Sequence, residues 1–469
     1  MKILAIACAF LFIAAQSPAQ KEVPLPKDLP AYGPERPLTG PSVKIAKLDN
    51  GLTVWLVSEP GFPKVAYGIA VHGGLAADPA DRPGLSGLLG DTLDHGTKTR
   101  NAKQIAQQFQ AAGADLSISP GKDSIILSLS VLSSKREDAL AVLSDLVRNA
   151  TFPDAEVTLA KRNDADQLRQ QESQPSFLAA RAMAKILFGD HPYHVTSATQ
   201  QSIAASTPDD LRKIYAERFR PDQALLVAVG DFDADKLLDT VKTQFGEWKA
   251  PSTAPVTTPA ETATAPQHAI YVIQRPGSVQ TTLELGTFGP LRKAPDYEAA
   301  DVANAIYGGM FGSRLTRNIR EDKGYTYSPG ASIQAYREAG LLVTRADVRN
   351  AVTGPSLNEM MYELNRMATT SPTDEELRTA KRFLVGIEAI RLQSRGAVAG
   401  ELARDWVNGL SSDAISTYGS KVAATTSEEV DAAAKKYFPA ARTAIVAVGE
   451  EKVVRDSLAP FGLPLESAP

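Results

Sequence analysis

The sequence predicts an α+β protein built from two homologous domains, and three observations carry that prediction. Strand-like and helix-like apolar periods alternate along the chain, with hairpin turns among the strands. Residues 251–268, rich in proline, threonine and alanine and lacking apolar periodicity, read as a linker that divides the globular part. Across that linker the chain repeats itself: Ser206-Thr-Pro-Asp-Asp-Leu211, Phe219 and Leu226-Val-Ala-Val-Gly230 correspond to Thr425-Thr-Ser-Glu-Glu-Val430, Phe438 and Ile445-Val-Ala-Val-Gly449. Phe219 to Phe438 and Gly230 to Gly449 are both shifts of 219 residues. So long a period excludes a solenoid and means two domains, at 42–250 and 269–469.

The bulk numbers agree. A chain of 469 residues is too long for a single core. With 43% hydrophobic and 22% charged residues it is neither disordered nor polytopic in a membrane. A formal net charge of −4 is too mild to select a partner, and it argues against nucleic acid.

Lys2, the apolar run Ile3 to Ala15 and the small residues Ser17-Pro18-Ala19 predict an export signal over 1–19, too short to span a bilayer. The only cysteine, Cys8, falls inside it, so no disulfide, thiolate nucleophile or Cys-ligated zinc is expected afterwards. A bacterial periplasm fits such a signal best. Residues 20–41 form a proline-rich lead-in without a core of its own. Lys44–Leu48 and Leu52–Val57 are expected strands around a turn at Asp49-Asn50-Gly51, and Ala66–Val71 a third. A helix from Gly84 follows, and then one over Ala102–Ala112. Leu116–Ile118 and Ser124–Val131 read as strands, and Glu137–Asn149, Asp154–Gln171 and Ser176–Leu187 as helices. Thr207-Pro208-Asp209-Asp210 starts another helix, with proline in the first turn and acids at the positive dipole end. Ala224–Val229 is a buried strand.

The stretch from Gly84 to Thr97, GLSGLLGDTLDHGT, is the most informative in the first domain. Leu85, Leu88, Leu89 and Leu93 recur at helical spacing, yet Gly87 and Gly90 interrupt the helix, each at a cost of about 0.5–1 kcal/mol relative to alanine. Helix propensity did not place them. With its surroundings, GGLAADPADRPGLSGLLGDTLDHGT, this stretch resembles the M16 (pitrilysin/insulinase) metallopeptidase family. Phe152-Pro153, Asp190-His191-Pro192-Tyr193 and Gly308-Gly309-Met310-Phe311-Gly312-Ser313-Arg314-Leu315 support the likeness. Most specific is Asn318-Ile319-Arg320-Glu321-Asp322-Lys323-Gly324-Tyr325-Thr326-Tyr327-Ser328. The resemblance covers nearly all of the chain after the export signal. It implies two domains of antiparallel-rich sheet with helices packed on it, and a place among the smaller members that pair as two-subunit assemblies.

Active members of that family carry an inverted zinc motif, H-x-x-E-H, whose histidines bind zinc from one helical face while the glutamate activates water. A further glutamate downstream completes the ligands. By resemblance these positions are Gly87, Gly90 and Asp91 here, and the downstream one is Gln167. Every one is altered, so no catalytic and no metal-binding residue is expected in this chain. The family's second signature is kept: an arginine and a tyrosine from the C-terminal domain, facing the zinc across the substrate, match Arg320 and Tyr327. A guanidinium and a phenol are sensible donors to a peptide carbonyl and to the oxyanion formed on water attack. Tyr325, on the same expected strand face as Tyr327, is a weaker alternative.

The resemblance thus implies a non-catalytic, substrate-binding subunit, supplying Arg320 and Tyr327 to an M16 partner that carries the intact motif and its zinc, and acting with it on peptides. The alternatives are a non-enzymatic peptide-binding or scaffold protein of this fold, and a peptidase with an unorthodox metal site. His72, Asp91, Asp94 and His95 are the nearby groups for such a site, but His95 is better placed to meet the negative end of its helix. His191 and His194, around Pro192, are expected in a loop with solvent-facing rings. Gly308, Gly309 and Gly312 lack a lysine at phosphate-loop spacing and are expected to allow tight helix-to-loop packing.

Overall fold

A computed structural model describes residues 40–259 and 266–469. The export signal, most of the lead-in and the middle of the linker lie outside the described residues. The first repeat builds a six-stranded sheet from β1 (Lys44–Lys47), β2 (Thr53–Ser58), β3 (Lys64–His72), β4 (Asp115–Pro120), β5 (Ser124–Leu132) and β6 (Ala224–Gly230), in the order β1-β2-β6-β3-β5-β4. The second builds another from β7 (Ile270–Gln274), β8 (Gln280–Phe288), β9 (Gly330–Ala335), β10 (Gly340–Arg349), β11 (Ala444–Gly449) and β12 (Leu465–Ser467), in the order β12-β7-β11-β8-β10-β9. Five strands of each sheet correspond in order, and the repeat is therefore structural. Only the outer edge differs: β1 comes from before its sheet and runs antiparallel to β2, whereas β12 comes from the C-terminus and runs parallel to β7.

Local chemistry explains why the strands lie where they do. Gly51, at φ 97°, takes the left-handed conformation that the β1–β2 turn needs. Asn50 fastens that turn to the linker end of the domain, its amide donating to the Phe245 and Trp248 carbonyls at 2.8 and 2.9 Å. All seven residues of β6 are buried, the mark of a central strand covered on both faces. Thr207 and Thr426, one repeat apart, each form a capping box with the third helical residue, Asp210 and Glu429.

The described residues form one compact unit, and each repeat lends the other a helix. One face of the first sheet packs on helices of its own half, through residues such as Leu89, Leu127, Leu143 and Leu226. Its other face, with Trp55, Ala66, Ala70 and Val227, is covered by Val398, Ala399, Leu402 and Ala403 of the helix Arg395–Val407. In exchange, Ala179, Ala182, Met183 and Leu187 of the helix Pro175–Phe188 cover Tyr271, Leu341, Val446 and Val448 of the second sheet. Gly286 on β8 makes that contact possible, since a Cβ there would lie 2.4 Å from the Met183 sulfur. Burying both faces of both sheets by exchange joins the repeats through apolar surface, the largest stabilising contribution available.

The helix expected from Gly84 is shorter than its apolar pattern suggests, covering Leu85–Thr92. Thr92 donates its hydroxyl back to the Leu88 carbonyl at 2.7 Å, and the chain then turns into the Gly96–Asn101 bridge. His95 is consequently just past the helix, its backbone N–H donating to the Thr92 carbonyl at 3.1 Å. Its ring sits 3.6 Å from Asp94 and 3.5 Å from Glu156. Nor do Tyr325 and Tyr327 share a strand: β9 begins only at Gly330, so both stand on a loop.

Candidate functional site

Two clusters take up the residues singled out by sequence. The first surrounds the helix Leu85–Thr92. Gly84 precedes it at φ 83°, with Ala198 occupying the space where a Cβ would go. Gly87, Asp91 and Gln167 converge on a cavity of about 360 Å3, together with Asp164 from the helix Asp154–Glu172. The structure therefore brings the aligned positions together, apart from Gly90. A Cβ on Gly90 would lie 2.6 Å from the Pro120 ring on β4, so the place of a general base is sterically closed. A Cβ on Gly87 would meet nothing within 4 Å. The two glycines have different causes: Gly90 allows β4 to approach, and Gly87 leaves space. Gly90→Ala is accordingly expected to destabilise the protein by about 1–3 kcal/mol despite alanine's better helix propensity. Gly87→Ala is expected to stabilise it by about 0.5–1 kcal/mol. Urea unfolding of the two variants reads the opposite signs.

Asp164 was not evident from the sequence, although it lies one helical turn before Gln167 and so on the same face. Its carboxyl is hydrogen-bonded to that of Asp91. Burial, and then the charge of Asp91, push Asp164 up to about 7, and burial raises Asp91 also. Two carboxyls sharing a proton, one amide and two glycines are a poor donor set for zinc, which takes imidazole, thiolate or free carboxylate. Among the described residues no three His, Cys, Asp or Glu side chains are arranged to hold a metal ion. The donor set does not fit the zinc that active members of the resembled family hold at these positions.

The proton linkage has a definite sign. An aspartate whose folded pKa is raised from 3.8 towards 7 costs stability progressively as pH rises through that window, and the cost is complete above it. Asp164→Asn removes the cost. Its melting temperature is expected to exceed that of the parent chain by a few degrees at pH 8 and to converge with it near pH 4, by calorimetry across that range.

The histidines of the first half serve elsewhere. His72 stacks on Trp406, ring centroids 4.3 Å apart, and Arg337 Nη1 lies 3.0 Å from its Nε2. Burial and the neighbouring Arg337 push its pKa down to about 4, so it is neutral at pH 7. His191 precedes and His194 closes a tight turn at Pro192–His194, but neither faces solvent freely: both are half-buried, with His191 Nε2 2.9 Å from the Pro259 carbonyl. The ring of His191 packs edge-on to Tyr193.

The second cluster lies in the C-terminal half. The chain from Ser313 runs as a short helical turn, Arg314–Thr316, and widens into a π-type turn over Arg317–Asp322 that carries Arg320. Ile319 on this turn is buried, and Gly324, at φ 59°, redirects the chain into the loop bearing Tyr327. Thr326 is buried and donates to the Asp347 carbonyl at 2.7 Å, which leaves its neighbour Tyr327 pointing outward and 78% exposed. The guanidinium carbon of Arg320 lies 4.5 Å from the Tyr327 ring centroid and 4.5 Å from that of Phe311. Arg320 Nε pairs with Glu321 at 3.1 Å, and its Nη groups make no hydrogen bond among the described residues. The structure brings Arg320 and Tyr327 together and adds Phe311, whose only sequence signal is an aromatic residue inside a glycine-rich turn. Gly308 and Gly309 do serve packing, with Cβ positions 2.8 Å from Ala331 and 2.7 Å from Asn304, whereas Gly312 is open.

A doubled α+β architecture, a helix without metal donors at the aligned positions and a paired arginine and tyrosine together define a class: a two-repeat, metallopeptidase-like chain. Comparison with known proteins gives its family. Residues 53–198 match the profile described as insulinase (peptidase family M16), and residues 205–384 match that of the peptidase M16 inactive domain. The chain belongs to the M16 metallopeptidase family. It is 25% identical to the uncharacterized zinc protease YmxG of Bacillus subtilis, over 75% of this chain and 85% of that one. It is 24% identical to an uncharacterized zinc protease of Streptomyces coelicolor, over 84% and 87% of the two chains. A solved peptidase M16 inactive domain from Pseudomonas fluorescens superposes with a TM-score of 0.81 at 26% identity, covering 87% of this chain and 98% of that one. A Helicobacter pylori protease shares the fold, with a TM-score of 0.81 at 18% identity.

Proposed function

We propose that this chain is the non-catalytic, substrate-binding subunit of a heterodimeric M16 zinc peptidase acting on peptides. It supplies Arg320 and Tyr327 to the active site of a partner subunit that carries the H-x-x-E-H motif and holds the zinc. The observation that carries this reading is the contrast between the two clusters. Gly90 is sealed by Pro120 and the Asp91 carboxyl is hydrogen-bonded to that of Asp164, while Arg320 keeps its Nη donors free among the described residues, beside an exposed phenol.

Chemically, a planar guanidinium held at its Nε leaves two N–H edges for a carbonyl oxygen, and the Tyr327 hydroxyl is a third donor. Donors held in place before the reaction stabilise the charge that grows on that oxygen when water attacks. The attacking water and its base belong to the partner in this reading. The export signal expected from Lys2, the apolar run and the small residues after it supports a bacterial periplasm as the location of the assembly.

The test is reconstitution. The purified chain alone is expected to contain no stoichiometric zinc and to cleave no unstructured peptide, and the chain with its H-x-x-E-H partner to do both. Stoichiometric zinc with peptidase activity in the isolated chain would overturn the reading in favour of an unorthodox metal site. Full activity of the partner without this chain would favour a scaffold.

A further inference from the structure

Phe311 is the residue whose placement the fold does not require. Its ring is 67% exposed, and a core position it is not. The turn beneath it is nonetheless firmly built. Met310 is buried, Ser313 donates its backbone N–H to the Met310 carbonyl at 3.1 Å, and the Ser313 hydroxyl caps the following helix by accepting from the Thr316 N–H at 3.2 Å. Gly312 beside it meets no neighbour, so the approach to the ring is open. A second exposed ring, Tyr327, shares the same guanidinium. Stacked on rings, a guanidinium is restrained in its plane and presents its N–H groups along its edge.

We propose that Phe311 positions Arg320 and forms the apolar wall of a subsite that takes a bulky apolar side chain of the bound peptide. The inference rests on the reading that Arg320 and Tyr327 face the substrate, and it deepens that reading by naming what the site selects. In a peptide the side chain and the backbone carbonyl of one residue lie next to each other. A donor edge flanked by an apolar ring is complementary to that arrangement: Arg320 Nη groups meet the carbonyl and the Phe311 ring covers the side chain. A polar side chain would lose its water against the ring without gaining a partner, and is disfavoured. Exposure of two large rings in the free chain is then the cost of a surface that becomes buried only in the complex.

Fluorescence polarisation with the full chain tests this, using two labelled peptides of about a dozen residues, flexible and identical except for a central phenylalanine or serine. The parent chain is expected to bind the phenylalanine peptide about tenfold tighter. Phe311→Ala is expected to bring the two peptides within about twofold and weaken both, whereas Phe311→Trp keeps the preference. Thermal unfolding checks that Phe311→Ala remains folded. A preference that survives in Phe311→Ala overturns the subsite while leaving the substrate-facing role of Arg320 standing. Equal binding of both peptides by Arg320→Ala and the parent chain, or no binding by the parent, overturns the underlying reading itself.

Discussion

Replacing Arg320 by alanine in the reconstituted assembly is expected to lower kcat/KM for peptide cleavage by about 100-fold, about 2.7 kcal/mol of transition-state stabilisation. The size follows from the environment. Arg320 is three-quarters covered, its Nε is engaged by Glu321, and two rings limit its rotation, so its free donors are fixed before substrate arrives. A donor that needs no reorganisation acts mainly on the transition state, and the loss is expected in kcat more than in KM. Lysine will not substitute, because an ammonium cannot stack between rings or offer a planar edge. Tyr327→Phe removes one hydroxyl and keeps the ring over Arg320, so a smaller loss of about 10-fold is expected. Steady-state kinetics with the partner held constant measures all of this. Turnover unchanged in Arg320→Ala would remove the proposed role of the second cluster and leave a scaffold as the better account.

Much of the architecture was legible because it is written in local chemistry. The turn at Asn50-Gly51, the unbroken apolar run of β6 and the threonine caps one repeat apart each specify their structure within a few residues. The exchange of helices between repeats was not legible, since the apolar face of Pro175–Phe188 looks the same whichever sheet it covers. The site divides in the same way. Gly87, Asp91, Gln167, Arg320 and Tyr327 were found by their positions in a pattern, and the structure brings the first three together and the last two together. Asp164 stands outside the motif positions, and Phe311, although inside the glycine-rich stretch, carries no role there. They join their clusters by a contact across two helices and by a ring seated on a guanidinium, which are tertiary facts. The cause of Gly90 likewise lies outside its own helix, in Pro120 on β4.

A helix that has lost its metal donors could be expected to lose its anchoring too, and here the physics points the other way. Asp78 accepts from the Ser86 backbone N–H at the start of Leu85–Thr92, at 3.1 Å, and from Arg218 Nη1 at 3.1 Å. Arg218 also donates to the Ala77 carbonyl at 2.7 Å and the Ser86 hydroxyl at 2.6 Å. The side chains are 0% and 1% exposed, and burial raises the Asp78 pKa even beside its counter-ion. Such a pair contributes little net stability as a unit, because desolvation offsets the attraction, but breaking it strands a charge. Asp78→Ala is therefore expected to cost about 3–5 kcal/mol, the largest single-residue loss of stability foreseen for this chain, against about 1 kcal/mol for Ser86→Ala. Chemical denaturation of both variants decides it; a cost for Asp78→Ala no larger than that of Ser86→Ala would show that Arg218 finds other compensation. With the full loss, Leu85, Leu88, Leu89 and Leu93 would be held in the first core by an ion pair that anchors the helix without any metal.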